Sequence, residues 1–203
     1  TSVNSKQLAI LIKLNFFSDY GKNKYLLNIV DIYDKFASVK VLAKNKMEQL
    51  GISDYLMVKY AEKETKSQWR GIDNDGLINE LCGRLKDESL NVVDQVKADI
   101  EFLSYTDYVN ADMSDDYYIV ADYTTYKDSA KPSLVLRRIH NGEEVRCRIK
   151  QAAIFKAKPF GQFAVLRVPY ITYAFRKKLI DGKWVDTDER EAILEEYEVI
   201  KND

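Results

Sequence analysis

The chain has 203 residues and a formal net charge of −1, with 46% hydrophobic and 31% charged residues, a composition typical of a globular rather than a disordered protein. Its two cysteines, Cys82 and Cys147, lie far apart with no second thiol at metal-ligand spacing, so neither a disulfide framework nor a zinc site is predicted. No apolar run approaches the roughly 20 residues of a membrane span and no signal-peptide pattern opens the chain, so we expect a cytoplasmic protein.

Helical spacing dominates the first hundred residues. Asn4 or Ser5 is the predicted N-cap of a first helix whose apolar stripe extends to Phe16, and a break at residues 18–21 separates it from a second helix over residues 25–36. We therefore expect two antiparallel helices joined by a short turn. Further helices are predicted over residues 53–63, 75–86 and 92–104.

After residue 116 apolar residues recur at every second position instead of every third or fourth, which indicates a change from helix to sheet. Residues 117–126 are predicted as a strand, and residues 133–140 and 143–150 as a hairpin closed by a type I′ turn at Asn141-Gly142. The other elements predicted here are a short helix near residues 151–155, strands over 163–168 and 171–179, and a turn at 181–183 before the sheet resumes.

The predicted fold class is therefore α+β. A helical segment over residues 1–115 precedes a β-domain over residues 116–203, and about five short strands suit a small closed antiparallel barrel.

Charge is sorted along the chain. Residues 1–115 carry 15 Lys and Arg against 18 Asp and Glu, residues 116–185 carry 14 against 6, and residues 186–203 carry 2 against 8. An excess of positive charge confined to one stretch predicts a local field that attracts a polyanion.

The predicted hairpin places Arg146, Arg148 and Lys150 on one face and the apolar residues between them on the other, because strand side chains alternate. The cations stand about 6.5–7 Å apart, near the spacing of successive phosphates in an extended strand. Tyrosines among the cations would stack on unpaired bases. The candidate DNA-binding residues are Arg137, Arg138, Arg146, Arg148, Lys150, Arg176, Lys178, Tyr118, Tyr123, Tyr126 and Tyr173. The alternative interpretation is a solvated charged face with half-buried aromatics.

No catalytic residue, metal site or cofactor is predicted. His140, the only histidine, is expected at the surface, and no phosphate loop, nucleophile elbow or Cys/His metal spacing occurs. Asp112, Asp115 and Asp116 form a solvated linker cluster, with metal binding as the alternative. The acidic tail over residues 186–198 is predicted to form a closing strand or a short helix. Its negative charge could shield the basic face when DNA is absent, and the alternative is an ordinary solvated element.

Three segments carry a resemblance to a known family. Residues 3–21 read V-N-S-K-Q-L-A-I-L-I-K-L-N-F-F-S-D-Y-G, residues 99–105 read D-I-E-F-L-S-Y, and a strand and hairpins follow over residues 117–185. Together they resemble the C-terminal half of the bacterial DNA polymerase III alpha subunit, the C-family replicative polymerase. That family has the forms V-N-x-x-x-L-x-x-L-I-x-x-G-A-F-D-x-x-G and E-x-E-x-L-G-F/Y ahead of its OB domain. This sequence departs from them at Leu14-Asn15-Phe16-Phe17 and at Ser104, which replaces a glycine.

The resemblance implies the end of a helix-hairpin-helix module and linker helices over residues 1–115, and an OB-like domain that holds single-stranded template DNA over residues 116–203. The family's catalytic palm and its glycine hairpins would precede Thr1. We therefore expect a non-catalytic portion of a DNA-directed DNA polymerase, a nucleotidyltransferase, with weak duplex binding by the helical half.

The implied partners are single-stranded DNA and other replisome subunits, with no membrane. A sliding-clamp peptide of the form Gln-x-x-Leu-Phe is implied between the first two segments, but residues 21–100 contain no copy of it, so clamp binding stays open. The alternative function is a protein-interaction module that docks another replisome subunit.

Overall fold

The computed structural model describes residues 3–125 and 132–201. The chain forms two compact units, Thr1–Leu90 and Asn91–Asp203, and contains both helices and strands. The division lies well before the boundary predicted at residue 115, because the helix and loop that follow Asn91 pack on the sheet of the second unit. No helix in the described ranges is long and apolar enough to cross a membrane.

The first unit combines five helices with a small antiparallel sheet in its described part. The elements are α1 (Ser5–Lys13), α2 (Asn23–Phe36), β1 (Val41–Ala43), α3 (Lys44–Gln49), α4 (Asp54–Tyr60), β2 (Ala61–Glu64), β3 (Gln68–Ile72) and α5 (Asn74–Gly83). The strand order is β1-β3-β2. Its core contains Phe36, Leu42, Met57, Trp69 and Leu77.

The first two predicted helices are confirmed. Asn4 caps α1 by accepting a hydrogen bond from the Gln7 backbone N–H at 2.9 Å, and the Gln7 side chain accepts from the Asn4 N–H in return, a capping box. The helix ends at Lys13 because Asn15 adopts a left-handed backbone with φ of 62°. Phe16 was predicted on the apolar stripe, but it lies beyond this break and is 70% exposed.

The predicted helix over residues 53–63 is wrong at its C-terminal end. Helix α4 stops at Tyr60, and residues 61–72 form the β2–β3 hairpin instead. Strand β2 is exposed along most of its length, so it carries no alternating apolar residues that would have indicated a strand.

The second unit is a mixed sheet with two helices among its described residues. The elements are α6 (Val92–Leu103), β4 (Tyr117–Thr124), β5 (Ser133–Arg138), β6 (Glu144–Ile149), α7 (Ala152–Ala157), β7 (Val165–Arg167), β8 (Thr172–Ile180), β9 (Lys183–Leu194) and β10 (Glu198–Val199). The seven strands have the order β10-β7-β4-β5-β6-β9-β8. Strands β6 and β9 pair in parallel and the others antiparallel.

The prediction of a purely antiparallel sheet is therefore wrong for one strand pair. The chain leaves β6 and passes through α7, β7 and β8 before β9 returns beside it, and a connection of this length permits parallel pairing. Over the described ranges the hydrogen-bonded order is open, with β10 and β8 at its edges, and no closed barrel is found.

The hairpin of β5 and β6 is confirmed, but its turn is not type I′. Of the two predicted turn residues only Gly142 has a positive φ, of 77°, and the loop is wider because the Gly142 N–H donates to the Arg138 carbonyl at 2.8 Å. Ile139 turns inward and is fully buried. The Asp181-Gly182 turn between β8 and β9 has the two positive φ angles of a type I′ turn, 49° and 78°.

The sheet of the second unit is covered by apolar side chains in two clusters. The larger contains Tyr118, Leu136, Ile149, Leu166 and Tyr197. The smaller joins Val96 and Ile100 of α6 to strand residues Ile119 and Val165 and to Ile139. Helix α6 therefore belongs to the second unit and extends the predicted β-domain toward the N-terminus.

Candidate nucleic-acid interface

Strand β6 has one apolar and one basic face, as the alternation predicted. Cys147 and Ile149 are buried, while Arg146, Arg148 and Lys150 are exposed. Burial raises the pKa of the Cys147 thiol to about 12, so this cysteine is a core residue and not a nucleophile. The buried side chains of β6 therefore fix the strand that carries these cations.

A groove of about 730 Å³ lies against this basic face. Strand β6 contributes Arg146 and Arg148, and the long hairpin of β8 and β9 contributes Tyr173, Arg176 and Arg190. Tyr173 is 63% exposed, so this aromatic residue is accessible to solvent beside the groove. The predicted residues Arg146, Arg148, Arg176 and Tyr173 are thus brought together.

Carboxylates of β9 and the residues that follow it neutralise much of this positive charge. Glu191 pairs with Arg148, and Glu195 with Lys150 at 2.9 Å. Glu189 lies 3.3 Å from Arg176 and 4.0 Å from Lys178. The acidic tail therefore begins as a strand, the first of the two predicted forms, and its carboxylates pair with the predicted basic residues.

Two further candidate arginines, Arg137 and Arg138, are also paired. Arg137 donates to Glu144 at 2.7 Å and to the Thr106 carbonyl at 2.7 Å. Arg138 lies 3.2 Å from Glu143. Both side chains are about a quarter exposed. Their main role is therefore to stabilise the hairpin and the loop before β4, and little of their charge is accessible to a ligand.

Two groove arginines have no carboxylate within ion-pair distance in the part of the chain that the structure describes, Arg146 and Arg190. Arg146 extends from the exposed face of β6. Arg190 lies over the Phe175 ring, 5.2 Å from its centre, a cation–π contact that leaves the edge of the guanidinium group available. These two residues carry the uncompensated positive charge of the groove.

The predicted stacking tyrosines divide into separate groups. Tyr118 was predicted to stack on a base, but it is only 4% exposed, and its hydroxyl accepts a hydrogen bond from Arg138 at 3.1 Å. Its ring therefore cannot reach a base. Tyr123 is half-buried and packs on Phe155 and Phe160. Tyr126 lies outside the described residues. Tyr173 is the predicted tyrosine that meets the groove.

The remaining polar candidates have structural partners. His140 is partly exposed and its Nδ1 lies 3.1 Å from the Met113 carbonyl oxygen. Asp116 accepts from Arg167 at 2.7 Å. Within residues 3–125 and 132–201 no group of three or more His, Cys, Asp or Glu side chains is placed to hold a metal ion.

Sequence reasoning missed Arg190 and the pairing of Glu189 and Glu191 with the basic strands. The Asp181-Gly182 turn could have predicted this pairing, because a two-residue turn fixes the register of the two strands that flank it. Lys178 is then opposite Val185, and Lys177 opposite Asp186. This register brings the acidic strand β9 beside the basic strand β8.

Comparison of the chain with protein-family models, curated proteins and solved structures found no match.

Proposed function

We propose that the second unit binds single-stranded DNA as a non-catalytic part of a replicative DNA polymerase of the DNA polymerase III alpha type. The observation that carries this proposal is the groove of β6, β9 and β8, which is lined by four arginines and the exposed ring of Tyr173. Guanidinium groups bind phosphate oxygens in a fork geometry, and an exposed tyrosine ring stacks on a base. A single strand offers both groups at once.

The ion pairs in the groove leave this binding possible. Both side chains of the Arg176–Glu189 pair are more than half exposed, and exposed ion pairs contribute only about 0–1 kcal/mol each. A phosphate can therefore replace Glu189 on Arg176 at little cost. Arg146 and Arg190 would make the first contacts, and Arg176 would follow as Glu189 swings away. Arg148 is more than half exposed, but its partner Glu191 is only 20% exposed.

Strand order supports an OB-like arrangement. Strands β4, β5 and β6 are consecutive antiparallel neighbours, β9 lies between β6 and β8, and β7 pairs with β4. Residues 168–171 alone join β7 to β8, which lie toward opposite edges of the sheet, and this link spans at most about 17 Å. The sheet must therefore curl, as in the partly open barrel of an OB fold, which binds oligonucleotides on its second and third strands. If the sheet is an OB fold, these strands correspond to β5 and β6.

Two backbone conformations support the family resemblance. In the sequence pattern of that family, glycine stands at the positions that Asn15 and Ser104 occupy here. Both residues have left-handed backbone, with φ of 62° and 66°. Glycine is favoured where the backbone is left-handed. Asn15 and Ser104 therefore replace the glycines of the pattern but keep the left-handed backbone that those glycines would favour.

Fluorescence anisotropy of a labelled single strand of about 20 nucleotides tests the proposal. Replacing both Arg146 and Arg190 by alanine should weaken binding by about tenfold or more, because each lost phosphate contact also removes counterion release. The matched control replaces Lys6 and Lys156, two exposed lysines that do not line the groove. Binding of the Arg146→Ala/Arg190→Ala variant that equals that of the control variant would contradict the proposal.

One observation favours the alternative function, docking of another replisome subunit. Leu179, Ile180, Trp184 and Val185 are exposed around the turn of the β8–β9 hairpin, and exposed apolar clusters often mark protein contacts. In this case a purified replisome subunit would be captured even in excess DNA, and Trp184→Ala would abolish capture without changing single-strand affinity.

A further inference from the structure

Helices α3 and α4 with the hairpin that follows form a recognisable unit of structure in the first half of the chain. The two short helices are joined through residues 50–53, where Gly51 has a φ of 68°. Strands β2 and β3 follow α4 directly, and β1, which precedes α3, pairs with β3. The order of two short helices, a turn and a following β-hairpin is that of a helix-turn-helix with a hairpin after its second helix, and in DNA-binding proteins of this kind the second helix enters the major groove.

Fold alone does not establish function, so the surface of α4 has to be considered. Leu56 and Met57 face the core and are at most 2% exposed, whereas Tyr55 and Val58, three residues apart, are 75% and 67% exposed. Residues at this spacing share one face of a helix. Helix α4 is about 10 Å long, and the major groove of DNA is about 12 Å wide.

The hairpin carries three cations and two carboxylates, Glu62 and Glu64, and none of the three cations is in an ion pair with a described residue. Lys63 and Arg70 are directly opposite each other on β2 and β3, and Lys66 lies in the turn. All three are exposed, and no carboxylate of the described residues lies within ion-pair distance of them. Glu64 on the same hairpin pairs with Lys44 instead. In lacking a carboxylate partner, these cations differ from the largely paired cations of the second unit.

Helix α4 is fixed in position by a cluster of polar contacts. Lys59 and Tyr60, at its C-terminal end, donate to Glu80 of α5 at 2.9 and 3.0 Å, and Arg84 donates to the same carboxylate at 2.8 Å. A recognition surface that is already rigid loses less entropy on binding. The exposed face of α4 is therefore preorganised.

We propose that the first unit binds duplex DNA, with the Tyr55 and Val58 face of α4 in the major groove and Lys63, Lys66 and Arg70 on the backbone phosphates. Apolar side chains in the major groove contact thymine methyl groups, and the cations supply affinity that depends little on sequence. This site goes beyond the single-strand groove, and it differs from the weak duplex binding that the sequence predicted for the helical half.

The test uses the full chain with a labelled duplex of about 20 base pairs. Replacing Lys63, Lys66 and Arg70 together by alanine should weaken duplex binding by about tenfold or more and lower the slope of log affinity against log salt by about 2 to 3. The matched control replaces Lys6, Lys22 and Lys86, three exposed lysines of the same unit outside the hairpin. Duplex affinity within about twofold of the control would overturn the proposal.

Two substitutions on α4 test the orientation of the helix. Val58→Glu should weaken duplex binding, because it adds a negative charge to the face that meets the DNA. Asp54→Asn should strengthen it, because Asp54 is an exposed carboxylate at the start of the same helix. Circular dichroism checks that both variants stay folded. Unchanged duplex affinity in both variants would overturn the placement of α4.

The same titrations with single-stranded DNA keep this proposal separate from the function proposed above. Single-strand affinity should be unchanged in the Lys63/Lys66/Arg70 variant and reduced in the Arg146/Arg190 variant. A parallel loss of single-strand and duplex binding on removing the hairpin cations would assign the hairpin to single strands and overturn the duplex site.

Discussion

Ser104 shows how one backbone angle controls the stability of a helix end. It is the C-cap of α6, its φ is 66°, and its N–H donates to the Ile100 carbonyl. A left-handed backbone costs a residue with a Cβ atom roughly 1–2 kcal/mol relative to glycine. Serine is therefore a strained choice at this position.

Ser104→Gly should raise the free energy of unfolding of the second unit by about 0.5–1 kcal/mol, since the relief of strain exceeds the added entropy of the unfolded chain. Urea denaturation followed by circular dichroism measures the change. Gly182→Ala is the converse control. Gly182 has a φ of 78° and open space around its Cα, so alanine there should add backbone strain without a steric clash and lower the stability. A decrease in stability for Ser104→Gly would show that the serine side chain contributes more than its backbone costs.

At the scale of elements, segments with a strong apolar periodicity were predicted correctly, whereas an exposed strand was not. Helices α2 and α6 and the β5–β6 hairpin were found from apolar spacing, and the basic face of β6 from alternation. Strand β2 was missed because its side chains are exposed. The pairing of Arg148 with Glu191 joins residues 43 apart through a parallel strand contact, and no local pattern indicates such a partner.

The carboxylates of β9 should limit the affinity of the second unit for single-stranded DNA. Glu189 and Glu191 pair with Arg176 and Arg148, and a phosphate must displace them before it binds these two arginines. Glu189→Gln together with Glu191→Gln should therefore tighten single-strand binding by several-fold, since both substitutions remove a negative charge that pairs with a groove arginine and repels phosphate. Asp31→Gln with Glu88→Gln, which removes two paired carboxylates of the first unit, controls for net charge. Equal affinity in the two double variants would contradict the prediction.

Glu80 couples α4 to α5 in a manner that depends on pH. Hydrogen bonds from Arg84, Lys59 and Tyr60 lower the pKa of Glu80 to about 2. Because the folded pKa is below the unfolded value, this contact stabilises the first unit above pH 4.5 and is lost as the pH falls toward 2. Glu80→Gln should therefore be less stable than the wild type at pH 7, and the difference should shrink over that range. Denaturation at several pH values measures it, and a difference independent of pH would contradict this assignment.

At the scale of the whole molecule, a net charge of −1 means that the net charge of the chain does not attract it to DNA. Binding must come from local sets of cations, and the two proposed sets belong to separate compact units. Variants in separate sites that share no partner have additive effects. Combining the Arg146/Arg190 and Lys63/Lys66/Arg70 substitutions should therefore leave single-strand affinity at the level of the first set alone, and duplex affinity at the level of the second. A combined variant that loses about tenfold more affinity than this for either DNA would show that one continuous surface, not two sites, binds nucleic acid.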